Sequence, residues 1–194
     1  MKYFLEKSGF TLIETMVAVA ILMVAIAGPL NIAEKGLIAA DNSRDQTIAA
    51  YLAEDLMEYV KNIRDDNILA GNTSGTTWLT MSPSGCETGS FCTAETFEAD
   101  YNNQSNNISD CTATTVSADN IGCQLYITPS GYYTYIPDGN QATPFYRTFT
   151  ITTPSGLSGN DVNNIRLLTV RVYWMYGTLQ YTYVLQSMIF NTHR

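Results

Sequence analysis

Apolar positions change their spacing twice along this chain, and each change predicts a different element. From Phe10 to Leu30 almost every residue is apolar, with Glu14 the single charge. Twenty-one such residues are enough for a helix to span a bilayer. From Leu30 to about Asn67 apolar residues recur at threes, fours and sevens: Leu30, Leu37, Ile48, Leu52, Leu56, Tyr59, Val60 and Ile63. Glu34, Lys35, Asp41, Arg44, Asp45, Glu54, Asp55, Glu58 and Lys61 fill the gaps, so this half reads as an amphipathic helix. Together the two halves predict one rod of about 80 Å at 1.5 Å per residue. An all-round apolar helix needs lipid or other helices about it, whereas a one-sided helix needs one partner surface. Gly28-Pro29 interrupts the pattern; proline gives up a backbone donor and crowds the preceding turn. A kink or a locally melted turn at Gly28 and Pro29 is expected, against a simple helix end at Gly28.

From residue 68 to 123 Gly, Ser, Thr and Asn dominate and periodicity fades, so this stretch is expected to be a long variable loop. Trp78, Leu79, Phe91 and Phe97 are its candidate anchors in the core. Residues 124–194 return to strict alternation. Gln124 to Thr128 and Tyr132 to Ile136 flank Pro129-Ser130-Gly131, a hairpin signal. Phe145 to Thr153 sets Phe145, Phe149 and Ile151 on one face. Ile165 to Tyr176 does the same with Leu168, Val170, Val172 and Trp174, and after Gly177 the run Thr178 to Phe190 aligns Leu179, Tyr181, Tyr183, Leu185 and Ile189. These runs predict an antiparallel sheet with one buried face, covered by the apolar stripe of the helix.

The chain has 194 residues, room for one modest domain plus an appendage, and a formal charge of −8. No Lys/Arg cluster is present, which disfavours nucleic acid as a partner. Cys86, Cys92, Cys111 and Cys123 lie within a short span. An even count on an exported chain reads as two disulfides. Zinc is disfavoured because no CxxC is present and the lone histidine, His193, is remote. Three pairings are possible; the local one, Cys86 with Cys92 and Cys111 with Cys123, is favoured. The sequons at Asn72, Asn103 and Asn107 carry little weight in so Asn-rich a stretch.

No cofactor, metal ligand set or catalytic pairing of nucleophile and base stands out, so no enzyme is expected. Asp65-Asp66 reads as a solvated face. Asn160, Asp161, Asn163 and Asn164 match no strict calcium pattern and read as a turn.

Three origins compete for the N-terminus. A secretory signal needs cleavage near Ala25-Ile26-Ala27, but Glu14 sits in the apolar region and helical periodicity runs on past Ala27. A plain membrane anchor leaves Glu14 without a purpose. The third reading rests on Gly9, Phe10, Thr11, Leu12, Ile13 and Glu14, followed by Val17, Val19, Ile21 and Leu22. This segment resembles the class III signal of type IV pilins. The stretch Tyr51 to Glu58 and the strand Val170 to Trp174 also resemble minor pilins of the pilus-modification class and the I-type and J-type pseudopilins of type II secretion.

The resemblance implies a type IV pilin-like α+β fold, with the C-terminal half of a long helix packed on an antiparallel sheet. It implies a prepilin leader over residues 1–9, a transmembrane and filament-core helix over 10–30 and an amphipathic half over 31–67. It further implies cleavage between Gly9 and Phe10, N-methylation of Phe10, and pairing of Glu14 with the Phe10 amino group of a neighbouring subunit. Loss of Met1 to Gly9 leaves a formal charge of −9, and Lys2 and Lys7 favour keeping the leader cytoplasmic. The implied partners are other pilin subunits, prepilin peptidase, an inner-membrane assembly platform and, before assembly, lipid. The implied location is a single pass of the inner membrane, then a surface or periplasm-spanning filament. A type IV pilus minor pilin, a type II secretion pseudopilin and a membrane-anchored or secreted adhesin-like module all fit. The four cysteines lie upstream of the last three strands, unlike the pair near the C-terminus of major pilins.

Overall fold

A computed structural model describes residues 9, 11–81, 86, 89–96, 108–111, 123–159 and 161–192. The leader residues Met1 to Ser8, together with Phe10, Phe97, Asn103, Asn107, Asn160 and His193, lie outside the described residues. The backbone forms helix α1 (Leu12–Leu69), strands β1 (Cys92–Ala94), β2 (Ile108–Asp110), β3 (Gln124–Ile127), β4 (Tyr133–Thr134) and β5 (Gln141–Thr152), the short helix α2 (Asp161–Asn164), then β6 (Ile165–Tyr176) and β7 (Leu179–Phe190). The chain divides into two units, Met1–Arg44 and Asp45–Arg194, and α1 contributes to both.

In the first unit α1 is helical from its first turn through Gly28 and Pro29 without a break. The melted turn expected there is absent, as is a helix end at Gly28. Around Pro29, Asn31 Nδ2 donates to the Ala27 carbonyl at 3.1 Å, adding a side-chain bond where the ring disturbs the ladder.

In the second unit α1 supplies Ala49, Leu52, Ala53, Leu56, Met57 and Val60 to the core. Their spacing of threes and fours makes one stripe. The helix ends two residues beyond Asn67, at Leu69. Gly71 (φ 84°) supplies the left-handed residue; Asn72 N–H donates to Asn67 C=O and Gly71 N–H to Ile68 C=O. This pair of bonds is a Schellman cap.

Among the described residues, seven antiparallel strands form one sheet. β5 is its hub: β6 runs along one side from Phe145↔Trp174 to Thr152↔Leu167, while β1 and β3 share the other. β6 and β7 pair over twelve positions, Ile165↔Phe190 to Tyr176↔Leu179, about the turn at Gly177. Phe149, Ile151, Leu168, Val170, Val172, Trp174 and Ile189 join the helix stripe in a single core. The observed architecture is therefore α+β, a long N-terminal helix with an antiparallel sheet packed against it.

Three expectations need correction. The stretch 68–123 is not all loop: β1 and β2 pair with each other there, and β1 joins β5 at Cys92↔Phe149. Three-residue strands are too short to show alternation, which is why the pattern hid them. β5 begins at Gln141, four residues earlier than expected, because Pro144 masked the run. Pro144 falls where the β3–β5 register shifts between Gln124 and Tyr126, a place that needs no ladder donor from it. Third, the sheet is not buried on one face only. Thr148, Thr150, Thr169 and Tyr173 on the opposite face are also buried. Part of the loop stretch lies there: Cys111 and Cys123 pack on Tyr146, and Arg171 sits over the Phe91 ring at 5.8 Å.

Candidate assembly segment and the polar lock of the domain

In the first unit, the helix opens at Leu12, with Glu14 N–H and Thr15 N–H both donating to the Thr11 carbonyl. Thr15 Oγ1 adds a bond to the Leu12 carbonyl at 2.8 Å. Glu14 lies in the first turn, where a carboxylate is favoured by the positive end of the helix dipole. It is exposed and forms no ion pair with any described residue. Gly9 is exposed, and space around it is open.

On either side of Glu14 lie Leu12, Ile13, Met16, Val17, Ile21, Leu22, Met23 and Val24, each at least half exposed. The most apolar 18-residue window of α1 has a mean hydropathy of 2.3 and none of it is buried. Water does not tolerate so large a bare apolar surface, so lipid or other helices must cover it. A family model of the prokaryotic N-terminal methylation motif matches residues 6–28, the stretch that holds Gly9, Phe10, Glu14 and Gly28. Over this segment the chain is type IV pilin-like. The motif and the bare apolar helix together make the N-terminus a membrane anchor before assembly, and the motif implies peptidase processing and other pilin subunits as partners. No curated protein and no solved structure matches the chain.

The second unit of this pilin-like chain contains a charged cluster that the pattern of the sequence did not reveal. Arg147, on the inner face of β5, is fully buried. Its Nη1 donates to Asp55 Oδ2 at 2.7 Å and to the Leu52 carbonyl at 3.1 Å, both on α1. Its Nη2 reaches Thr96 Oγ1 at 3.2 Å and the Ala94 carbonyl at 3.4 Å. Its Nε donates to the Tyr135 hydroxyl at 2.9 Å, and that hydroxyl donates in turn to the Arg147 carbonyl at 3.0 Å. Burial opposes the guanidinium charge, but Tyr135 and Asp55 outweigh it and hold the Arg147 pKa above its ordinary value. Burial likewise pushes the Tyr135 phenol up, only partly countered by Arg147. Beside it, buried Glu95 accepts from Thr134 Oγ1 at 2.8 Å and from Tyr135 N–H at 2.9 Å. One arginine thus ties α1 to β1, β5 and the segment after β4. A guanidinium suits this place because its five fixed donors can serve several acceptors at once.

The cysteines pair as Cys86–Cys92 and Cys111–Cys123, each with Cα atoms 5.8 Å apart. Both pairs are the local ones, and no described cysteine is free for a metal. Among the described residues no group of three or more His, Cys, Asp and Glu could hold a metal ion. Asn163 and Asn164 have structural uses instead: the Asn163 carbonyl accepts from Trp78 Nε1 at 2.9 Å, and Asn164 accepts from Asn191 through both its backbone and its side chain. Trp78 and Leu79 are buried in the core, as their selection as anchors requires, and Phe91 is half-buried. Arg64 pairs with Asp65 at 2.7 Å on the exposed side of the helix.

Proposed function

We propose that the chain is a minor pilin, a structural subunit of a type IV pilus or related filament. Prepilin peptidase removes residues 1–9 between Gly9 and Phe10, and Phe10 becomes the methylated amino terminus. Residues 10–30 cross the inner membrane first and then enter the filament core, residues 31–67 join that segment to the sheet domain, and the domain stands outside the membrane. The observation that carries this reading is the methylation motif at residues 6–28 on a helix that continues to Leu69. Cleavage near Ala27 would cut that helix within its length and discard the segment that bears the motif.

In this reading Glu14 pairs with the Phe10 amino group of a neighbouring subunit. Each charge alone is costly among apolar helices, and pairing offsets both penalties. The long, disulfide-held stretch 68–123 suits a subunit of special position rather than the bulk one. Mass spectrometry of the chain recovered from its native membrane tests the reading. A mature chain starting at methylated Phe10 is expected; a chain starting at Gly28, or one retaining Met1 to Gly9, overturns it.

A further inference from the structure

The second unit has a pocket of about 440 Å³ between α1 and the β3–β4 turn, within the range of small-ligand sites. Its lining chemistry is unusually one-sided. Ile48 and Leu52 from α1 supply apolar surface, and Tyr51, Tyr132 and Tyr133 supply aromatic rings. Tyr51 is 68% exposed and Tyr132 52% exposed, so both rings stand in solvent. The β3–β4 turn is fixed by Gly131 (φ 87°) and by Thr128 N–H donating to the Tyr132 carbonyl at 2.8 Å. Tyr51 and Asp55 are one helical turn apart on α1, so a ring and a carboxylate meet in the pocket.

Asp55 is held ready. Its Oδ2 accepts from both Arg147 Nη1 at 2.7 Å and Thr96 Oγ1 at 2.6 Å, while Oδ1 has no hydrogen bond with any described residue. The side chain is half exposed even though the Arg147 side chain that anchors it is fully buried. Thr96 spends its proton on Asp55 and takes a bond from Arg147, so its hydroxyl has no proton left to offer a ligand. Among the described lining residues none is basic. Asp55 and Glu95 against Arg147 leave one formal negative charge in this cluster.

The combination selects a ligand by exclusion. An anion meets a carboxylate and no cation among the described lining residues. A sugar can use the tyrosine hydroxyls and the carboxylate, but being neutral it gains nothing from the negative charge of the cluster. A protonated amine needs an acceptor and gains from ring faces, because the negative face of a tyrosine attracts a cation. We propose that this pocket binds an alkylammonium group, with its nitrogen at Asp55 Oδ1 and its alkyl chain across Tyr51 and Tyr132.

The test is calorimetric or NMR titration of the full chain in non-ionic detergent with n-butylammonium chloride. n-Butanol and methyl glucopyranoside serve as neutral controls. Saturable butylammonium binding at least about tenfold tighter than butanol, weakening as salt rises, is expected. Tyr51→Ala and Tyr132→Ala should each weaken it several-fold, and Tyr51→Phe should not, since the ring face rather than the hydroxyl makes the contact. Asp55→Asn should also weaken it. Because Asp55→Asn removes a partner of Arg147, the decisive variants are those of the two exposed tyrosines, which are expected to keep the wild-type circular dichroism spectrum. Equal binding of butanol and butylammonium, binding of the glucopyranoside instead, or unchanged affinity in both alanine variants overturns the proposal. A further arm compares acetyl-Gly-Lys-Gly-amide with butylammonium. Tighter binding of the peptide assigns the pocket to a lysine of another protein, and equal binding assigns it to a free amine.

Discussion

Two leucines on one helix show how differently the two halves of this chain are stabilised. Leu22 is 58% exposed and Leu56 is fully buried. Both sit in regular α-helix, and both have apolar neighbours at three and four residues. The helix around Leu22 is apolar on every side, and no described residue of its own unit buries it. The helix around Leu56 carries charges on its other side, and the sheet residues Phe149, Val170 and Val172 share its core. The first half is therefore completed only by an environment, while the second is completed by its own fold. The proposed function divides along the same line: in it the uncovered half assembles, and the covered half has the surface that can be specific.

The comparison can be broken or sharpened by substitution. The largest effect is expected at assembly rather than stability: Glu14→Ala should leave urea unfolding of the detergent-solubilised chain unchanged yet remove most of the subunit from sheared filaments. Wild-type amounts in those filaments would show that the exposed half does not need its carboxylate. On the covered half, Arg147→Ala removes the buried partner of Asp55 and leaves the Leu52 and Ala94 carbonyls without its guanidinium donors, and should cost about 3–5 kcal/mol in the same unfolding assay. A cost no greater than that of an exposed substitution would mean the lock does not hold α1 to the sheet.

Leu56→Ala should cost about 2–5 kcal/mol and Leu22→Ala within about 0.5 kcal/mol; equal values would erase the distinction between the halves. Trp78→Phe keeps the ring in the core but strands the Asn163 carbonyl, for an expected loss of about 1–3 kcal/mol. The smallest effect is in alkali. Burial raises the Tyr135 pKa above its ordinary 10.0, as it does for Tyr146 and Tyr173. The neutral phenol is favoured in the fold, so this stability is complete below pH 10.0 and is lost as the pH rises through the raised folded value. Unfolding at pH 9 and at pH 11 should differ in that direction; greater stability at pH 11 would contradict it.

Much of the architecture was legible because it rests on periodicity. The twelve-residue strands β6 and β7 alternate cleanly, and the shift from all-round apolar to one-sided spacing within α1 needs no tertiary information. The pieces that escaped are short or locally contradictory. β1 and β2 have three residues each, and β5 carries a proline. Arg147 escaped for a different reason, although a trace of it was visible. It stands two residues from both Phe145 and Phe149, so alternation already placed it on the inward face. What the pattern lacked was its partners, because Asp55 lies 92 residues away and reads as one more polar residue on a helix.

The sequence by itself determined the kind of N-terminus this protein has. A motif at residues 6–28 is a local string, read by an enzyme or a membrane without a fold behind it. It also determined the element types, since period and length are local properties. Only the tertiary structure decided which charges go inside, how Cys86, Cys92, Cys111 and Cys123 pair, and that a tyrosine-lined pocket forms beside Asp55. Each of those depends on residues far apart in the chain meeting at atomic distance, and the free energy that makes a buried arginine tolerable exists only once all its acceptors have arrived.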